Sequence, residues 1–153
     1  MAVKPIPDGF RGVTPYLAID GAADAIEFYC KFLGATERMR MPDAEGKILH
    51  AELQIGDSVV MLSDEFPDMN VAGPKKLGGS PVMLMIYVED ADATQTAAIK
   101  AGATEVRPVE DQFYGDRSGQ FVDPFGHRWN VATHIEDVSD EEMAKRMEAM
   151  GQG

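Results

Sequence analysis

The feature that most constrains this chain is that its second half repeats the plan of its first. The tetrapeptide Gly-Ala-Thr-Glu occurs at Gly34 to Glu37 and again at Gly102 to Glu105, an offset of 68, each time closing a helical pattern and opening a strand-like run. Ahead of the first copy, Val13 to Ile19 reads as a strand. Gly21 to Leu33 then carries apolar residues at Ala22, Ala25, Ile26, Tyr29, Phe32 and Leu33, the spacing of a helix with one buried face. Gly34 stops that helix, because glycine tolerates the left-handed conformation that closes many helices. Thr36 to Met41, Ile48 to Ile55 and Ser58 to Ser63 follow as strands, the last two joined across Gly56-Asp57 in a tight hairpin. In the second half, Pro81 to Val88 reads as a strand and Asp92 to Ala101 as a helix ended by Gly102. Thr104 to Val109, Ser118 to Asp123 and His127 to Thr133 read as strands. Four matching residues alone prove little; at equivalent points of two identical β-α-β-β-β orders they indicate internal duplication. The expectation is an α+β fold of two tandem βαβββ modules.

A chain of 153 residues is long enough for one compact domain or two fused half-domains. Residues 1–12, rich in Pro and Gly, form an extended lead-in, 13–65 the first module and 81–135 the second. Residues 66–80, rich in Pro, Gly and Lys, read as a hinge-like linker, and 136–153 as a helical tail. In that tail Ser139 and Glu142 have capping-box spacing ahead of Met143, Met147 and Met150, which suits either a frayed terminal helix or a lid or dimer clasp. Lys+Arg 14 against Asp+Glu 26 leaves a formal net charge of -12, which repels nucleic-acid backbones and anionic membrane surfaces. The one cysteine, Cys30, sits in the first helical pattern and reads as a packed thiol. With no apolar window of membrane-spanning length and no signal-peptide core, a cytoplasmic location is expected.

Three segments carry a family resemblance: VTPYLAIDGAADAIEFYCKFLGATE from Val13, HAELQIGDSVVMLSDE from His50, and YGDRSGQFVDPFGHRWNVATHIEDVS from Tyr114. The chain resembles the PhnB-like branch of the vicinal-oxygen-chelate superfamily, which includes glyoxalase I, bleomycin-resistance proteins and extradiol dioxygenases. The resemblance covers nearly all of Ile6 to Met143 and includes Phe28-Tyr29 on the helix and Asp123-Pro124-x-Gly126 before the last strand. It implies modules whose sheets curve around a small-molecule cleft, and a homodimer by analogy with relatives. It is specific for fold and not for reaction, since the scaffold hosts several chemistries.

Where such proteins hold a metal, the ligands come from the first and last strand of each module, here Thr14, Met61, Met83 and Asn130. A hydroxyl, two thioethers and an amide do not grip a divalent ion that prefers carboxylate oxygen or imidazole nitrogen. The expectation is therefore no metal and no cofactor. A displaced metal or acid-base site could instead draw on His50 and Glu52, which share one face of a strand, with Asp64, Glu65 and His134 at strand ends. The competing reading makes His50 a hydrogen-bonded strand residue and the carboxylates solvated edge groups. His127, after a turn glycine, reads as a surface or hinge residue.

Gln112 to Gly119 reads as a glycine-hinged loop that offers Phe113, Tyr114 and an Asp116-Arg117 pair, either to clamp a ligand or merely to fix the loop. Trp129 alternates with Asn130, so one faces away from the cleft; Trp129 fits the core. Met61, Met83 and Met85 suit an adaptable pocket or ordinary packing. The residues expected to touch a ligand are Thr14, Tyr16, His50, Met61, Met83, Tyr114, Arg117 and Asn130.

Two functions follow. One is metal-independent sequestration or carriage of an aromatic or amphipathic compound. The other is a metal-dependent lyase, isomerase or dioxygenase built around His50, Glu52 and His134. A methyltransferase lacks the glycine-rich nucleotide loop it would need.

Overall fold

Both copies of the repeated tetrapeptide do the same backbone work. Gly34 and Gly102 adopt φ of 69° and 113°, a region open to glycine, and the alanines that follow, Ala35 and Ala103, turn into the interior. The computed structural model describes residues 2–151. The chain divides into two compact units, one ending at Gly79 and the other beginning at Ser80.

The first unit runs β1 (Tyr16–Ile19), α1 (Ala22–Phe32), β2 (Thr36–Pro42), β3 (Ile48–Ile55) and β4 (Ser58–Asp64), then a 3-10 turn at Pro67–Met69 and a short helix, α2 (Pro74–Leu77). The second runs β5 (Met83–Tyr87), α3 (Ala91–Lys100), β6 (Thr104–Asp111), β7 (Asp116–Val122), β8 (Arg128–His134) and α4 (Asp140–Gly151). Each unit has one four-stranded mixed sheet, ordered β1-β4-β3-β2 and β5-β8-β7-β6, with only the first and last strands of each module parallel. This is the α+β architecture of two tandem βαβββ modules that the duplication implied.

Strand alternation fixes which face each sheet buries. In the first unit Leu17, Ile19, Ala51, Leu53, Val60 and Leu62 are buried, as are Ala22, Ala25, Ile26 and Tyr29 on α1, which covers one face. Fully burying an aliphatic side chain such as Ile26 or Leu62 contributes about 1.5–3 kcal/mol. In the second unit Phe121, Trp129 and Val131 pack on the α3 side. Trp129 is core, its indole N–H donating to Asp123 Oδ2 at 2.9 Å. The outermost strands, β2 and β6, each contain register irregularities and charged side chains, features that blunt an exposed edge.

Each first helix begins against the end of its own last strand. Asp64 Oδ1 accepts from Gly21 N and Ala22 N (3.2 and 3.0 Å), while its Oδ2 accepts from Ile48 N at 2.7 Å. In the second unit the Thr133 hydroxyl accepts from Ala91 N at 2.9 Å and Asp90 caps Ala93 N. Gly21 offers no side chain to cap α1, so a distant carboxylate supplies what the local sequence lacks.

Two expectations are corrected here. Residues 66–80 are more than a hinge: Phe66 and Val71 exchange backbone hydrogen bonds of 2.9 and 3.0 Å around the 3-10 turn, and Gly73 N donates to Glu65 Oε2. The loop expected over Gln112 to Gly119 is only a short turn, because β7 starts at Asp116. Gly119 lies within that strand as the site where the buried Gln95 of α3 crosses closely; a Cβ there would collide with the Gln95 amide. The tail is held to its own unit by Arg146, which donates to Glu136 Oε1 and Oε2 and to the Phe113 carbonyl.

Candidate functional site

The face of the first sheet opposite α1 carries the polar residues. Cross-strand register places Met39, Glu52, Met61 and Tyr16 in one row across all four strands, with Met41 and His50 in the next. Over this face the segment from Phe66 to Ala72 folds back and makes one wall of a cavity of about 490 Å³, whose other sides include Tyr16, Ala18, Leu49 and Ser63. Gly73 lets that wall stand close: a Cβ there would lie 2.9 Å from the Ala18 carbonyl oxygen. A volume of this size suits a small organic molecule.

Tyr16 connects the cavity to a hydrogen-bonded chain. Its Oη lies 2.8 Å from His50 Nδ1, and His50 Nε2 lies 3.2 Å from Glu52 Oε2. A carboxylate only accepts, so in the neutral form of the imidazole the proton sits on Nε2 and Nδ1 accepts a hydrogen bond from the Tyr16 hydroxyl.

The open face of the second sheet holds a different arrangement. Register aligns Met85, Asn130, Gln120 and Arg107 in one row and Tyr87, Ala132, Ser118 and Glu110 in another. Buried Asp116 accepts from Tyr87 Oη at 2.7 Å and pairs through Oδ1 with His134 Nδ1 at 2.8 Å, while His134 Nε2 meets Asp137 at 2.7 Å. Its bonds to Asp116 and then Asp137 raise the His134 pKa, and a ring donating from both nitrogens is an imidazolium. The Asp116 hydrogen bond likewise raises the Tyr87 phenol. Asn130 is 8% exposed, and among the described residues its Oδ1 has no hydrogen-bond partner.

Of the residues expected to touch a ligand, Tyr16, His50 and Met61 share the open face of the first sheet. Thr14 lies just ahead of β1, so Tyr16, not Thr14, stands opposite Met61. Met83 and Asn130 share the open face of the second sheet, but Met83 stands opposite Arg128 and it is Met85 that faces Asn130. Tyr114 occupies the turn before β7, stacked edge-on with Phe113.

Arg117 does not pair with Asp116. Successive strand residues point to opposite faces, so Arg117 instead grips Asp92 at 2.6 and 2.8 Å and Asp111 at 3.0 Å, tying α3 to β6. That pairing lowers the Asp92 carboxyl. Cys30 has its thiol pushed up, by desolvation first and then by Glu37, the reverse of an activated nucleophile. Sequence reasoning passed over Phe66, Met69 and Val71 because they sit among turn residues, over Tyr87 because its partner Asp116 was paired with Arg117, and over Asp137 because His134 was considered with His50 and Glu52.

The donor set does not fit a superfamily-type metal. Thr14, Met61, Met83 and Asn130 supply no imidazole or carboxylate, nor do the register partners Tyr16 and Met85. Among the described residues no three His, Cys, Asp or Glu side chains are grouped to hold a metal ion; His50 and Glu52 belong to the first unit and His134 to the second.

Comparison with known proteins agrees with the fold. Residues 13–131 match the family model described as the Glyoxalase/Bleomycin resistance protein/Dioxygenase superfamily. An uncharacterized protein of Mycobacterium bovis is 42% identical over 144 residues, 92% of this chain and 95% of that protein. A crystal structure of a Pseudomonas aeruginosa protein, PA1353, superposes with a TM-score of 0.66 at 25% identity over 81% of this chain and 98% of that one. TnmS3, an antibiotic binding protein from Streptomyces sp. CB03234, has the same fold, with a TM-score of 0.59 at 18% identity over 88% and 98% of the two chains.

Proposed function

From the premise that this chain belongs to the Glyoxalase/Bleomycin resistance protein/Dioxygenase superfamily, we propose that it binds and sequesters or carries a small aromatic or amphipathic compound without a metal. The observation that carries this reading is the cavity of about 490 Å³ on the first sheet, walled by Phe66, Met69, Leu49 and Val71 and floored by Tyr16 and Ser63. Apolar walls with a few convergent polar groups are the ordinary make-up of a ligand site. The donor chemistry supports the metal-free part: thioether, phenol and amide groups occupy the places where the fold would set its ion, and the imidazoles of His50 and His134 are both engaged. The same fold in TnmS3, an antibiotic binding protein, supports a binding role for this scaffold. The protein is proposed to work as a cytoplasmic homodimer, which light scattering checks as a species of twice 16.7 kDa.

The test is a thermal-shift and calorimetric screen of aromatic amphipaths against the wild type and Ala18→Phe, which places a ring in the cavity. Binding by the wild type that falls at least tenfold in Ala18→Phe is expected. Metal analysis of protein purified without chelators runs alongside. Stoichiometric Zn, Ni, Mn or Fe that leaves on His50→Ala would instead favour the lyase, isomerase or dioxygenase reading.

A further inference from the structure

Counting protons around the cavity gives its chemical preference. Tyr16 spends its O–H on His50 Nδ1, because Glu52 holds the imidazole proton on Nε2. Ser63, also on the cavity floor, spends its O–H on the Asp64 carbonyl oxygen at 3.0 Å. Both hydroxyls that line the cavity therefore turn lone pairs, not protons, toward its interior. Asn70 carries donors as well as an acceptor and does not reverse that balance. Behind Tyr16 stands the Glu52 carboxylate, and the chain as a whole carries a formal charge of -12. Lys47, over the Phe66 ring at 4.4 Å from its centroid, adds one positive charge near the wall.

We infer that the first-unit cavity selects an organic cation with N–H groups, a protonated amine that donates to Tyr16 Oη while its aromatic or aliphatic body lies against Phe66, Met69 and Val71. An anion or a pure acceptor would meet lone pairs with no proton between them, and an acceptor left facing an acceptor loses the hydrogen bonds it had in water. The inference rests on the cavity being the ligand site and specifies which ligands that site prefers.

Four probes of one shape separate the possibilities: 4-phenylbutylamine, its N,N,N-trimethyl analogue, 4-phenylbutanol and 4-phenylbutyrate, titrated calorimetrically against wild type, Tyr16→Phe and Ala18→Phe. The expected result is that the amine binds the wild type roughly tenfold more tightly than the trimethylammonium compound, which keeps the charge but has no N–H. The alcohol is expected to bind more weakly than the amine, and the carboxylate weakest. Tyr16→Phe should erase most of the preference for the amine, while the discrimination in the wild type needs no variant to be read. If the trimethylammonium compound or the carboxylate binds as tightly as the amine, and Ala18→Phe still abolishes binding, the acceptor inference falls and the cavity stands. If no probe binds, or binding survives Ala18→Phe, the cavity reading itself fails and takes this inference with it.

Discussion

His134 shows how a residue's partners decide its chemistry. Read along the chain it is a histidine at a strand end, free to act as base or ligand. In the fold both ring nitrogens meet carboxylates, Asp116 and Asp137, and these bonds raise its pKa. A group whose folded pKa lies above its unfolded value of about 6.5 stabilises the fold fully below that value and loses the effect as pH rises through the folded pKa. Urea midpoints of the wild type and His134→Gln should therefore lie farthest apart near pH 5.5 and converge toward pH 9; a gap that stays constant would show that the pairs contribute nothing that titrates. Arg117 teaches the complementary lesson. Its neighbour Asp116 looked like its partner, yet strand alternation sends the two side chains to opposite faces and Arg117 ties α3 to β6.

At the scale of elements, the repeat was legible because helix stops and hairpin turns are local events. Gly34 and Gly102 need positive φ, and the same tetrapeptide marks both. In residues 112–119, read as a glycine-hinged loop, the strand starts earlier, at Asp116, and Gly119, which also fell inside the strand read over Ser118 to Asp123, is a strand residue that makes room for Gln95. A missing Cβ serves turning and close approach alike, and only the packed helix distinguishes them. Helix capping was also hidden, because Asp64 and Thr133 lie 42 residues beyond the N–H groups of Ala22 and Ala91 that they cap. Asp64→Ala deprives three backbone N–H groups of their acceptor and should cost about 2–4 kcal/mol in denaturant unfolding. Thr133→Val removes one such acceptor and should cost about 1–2 kcal/mol. The reverse order would mean that α1 does not depend on its distant cap.

For the molecule as a whole, the excess of carboxylates acts over longer distances than any single bond. Raising salt from about 0.05 M to about 0.5 M shortens the screening length severalfold, so the affinity for 4-phenylbutylamine should weaken a few-fold while that for 4-phenylbutanol holds. Equal salt sensitivity for the two probes would show that the field of the protein plays no part in choosing its ligand. Among the described residues no helix is long and apolar enough to cross a membrane.

The duplicated βαβββ plan, the buried face of α1, the core position of Trp129 and the poverty of metal donors at Thr14, Met61, Met83 and Asn130 all follow from the sequence, since period, turn chemistry and side-chain type are properties of neighbouring residues. The cavity depended on the return of residues 66–72 over β1, and its preference on where Tyr16 and Ser63 send their protons. Those are contacts between segments far apart in the chain, and hydrogen-bond direction is set by the partner a group meets after folding, which only the tertiary structure supplies.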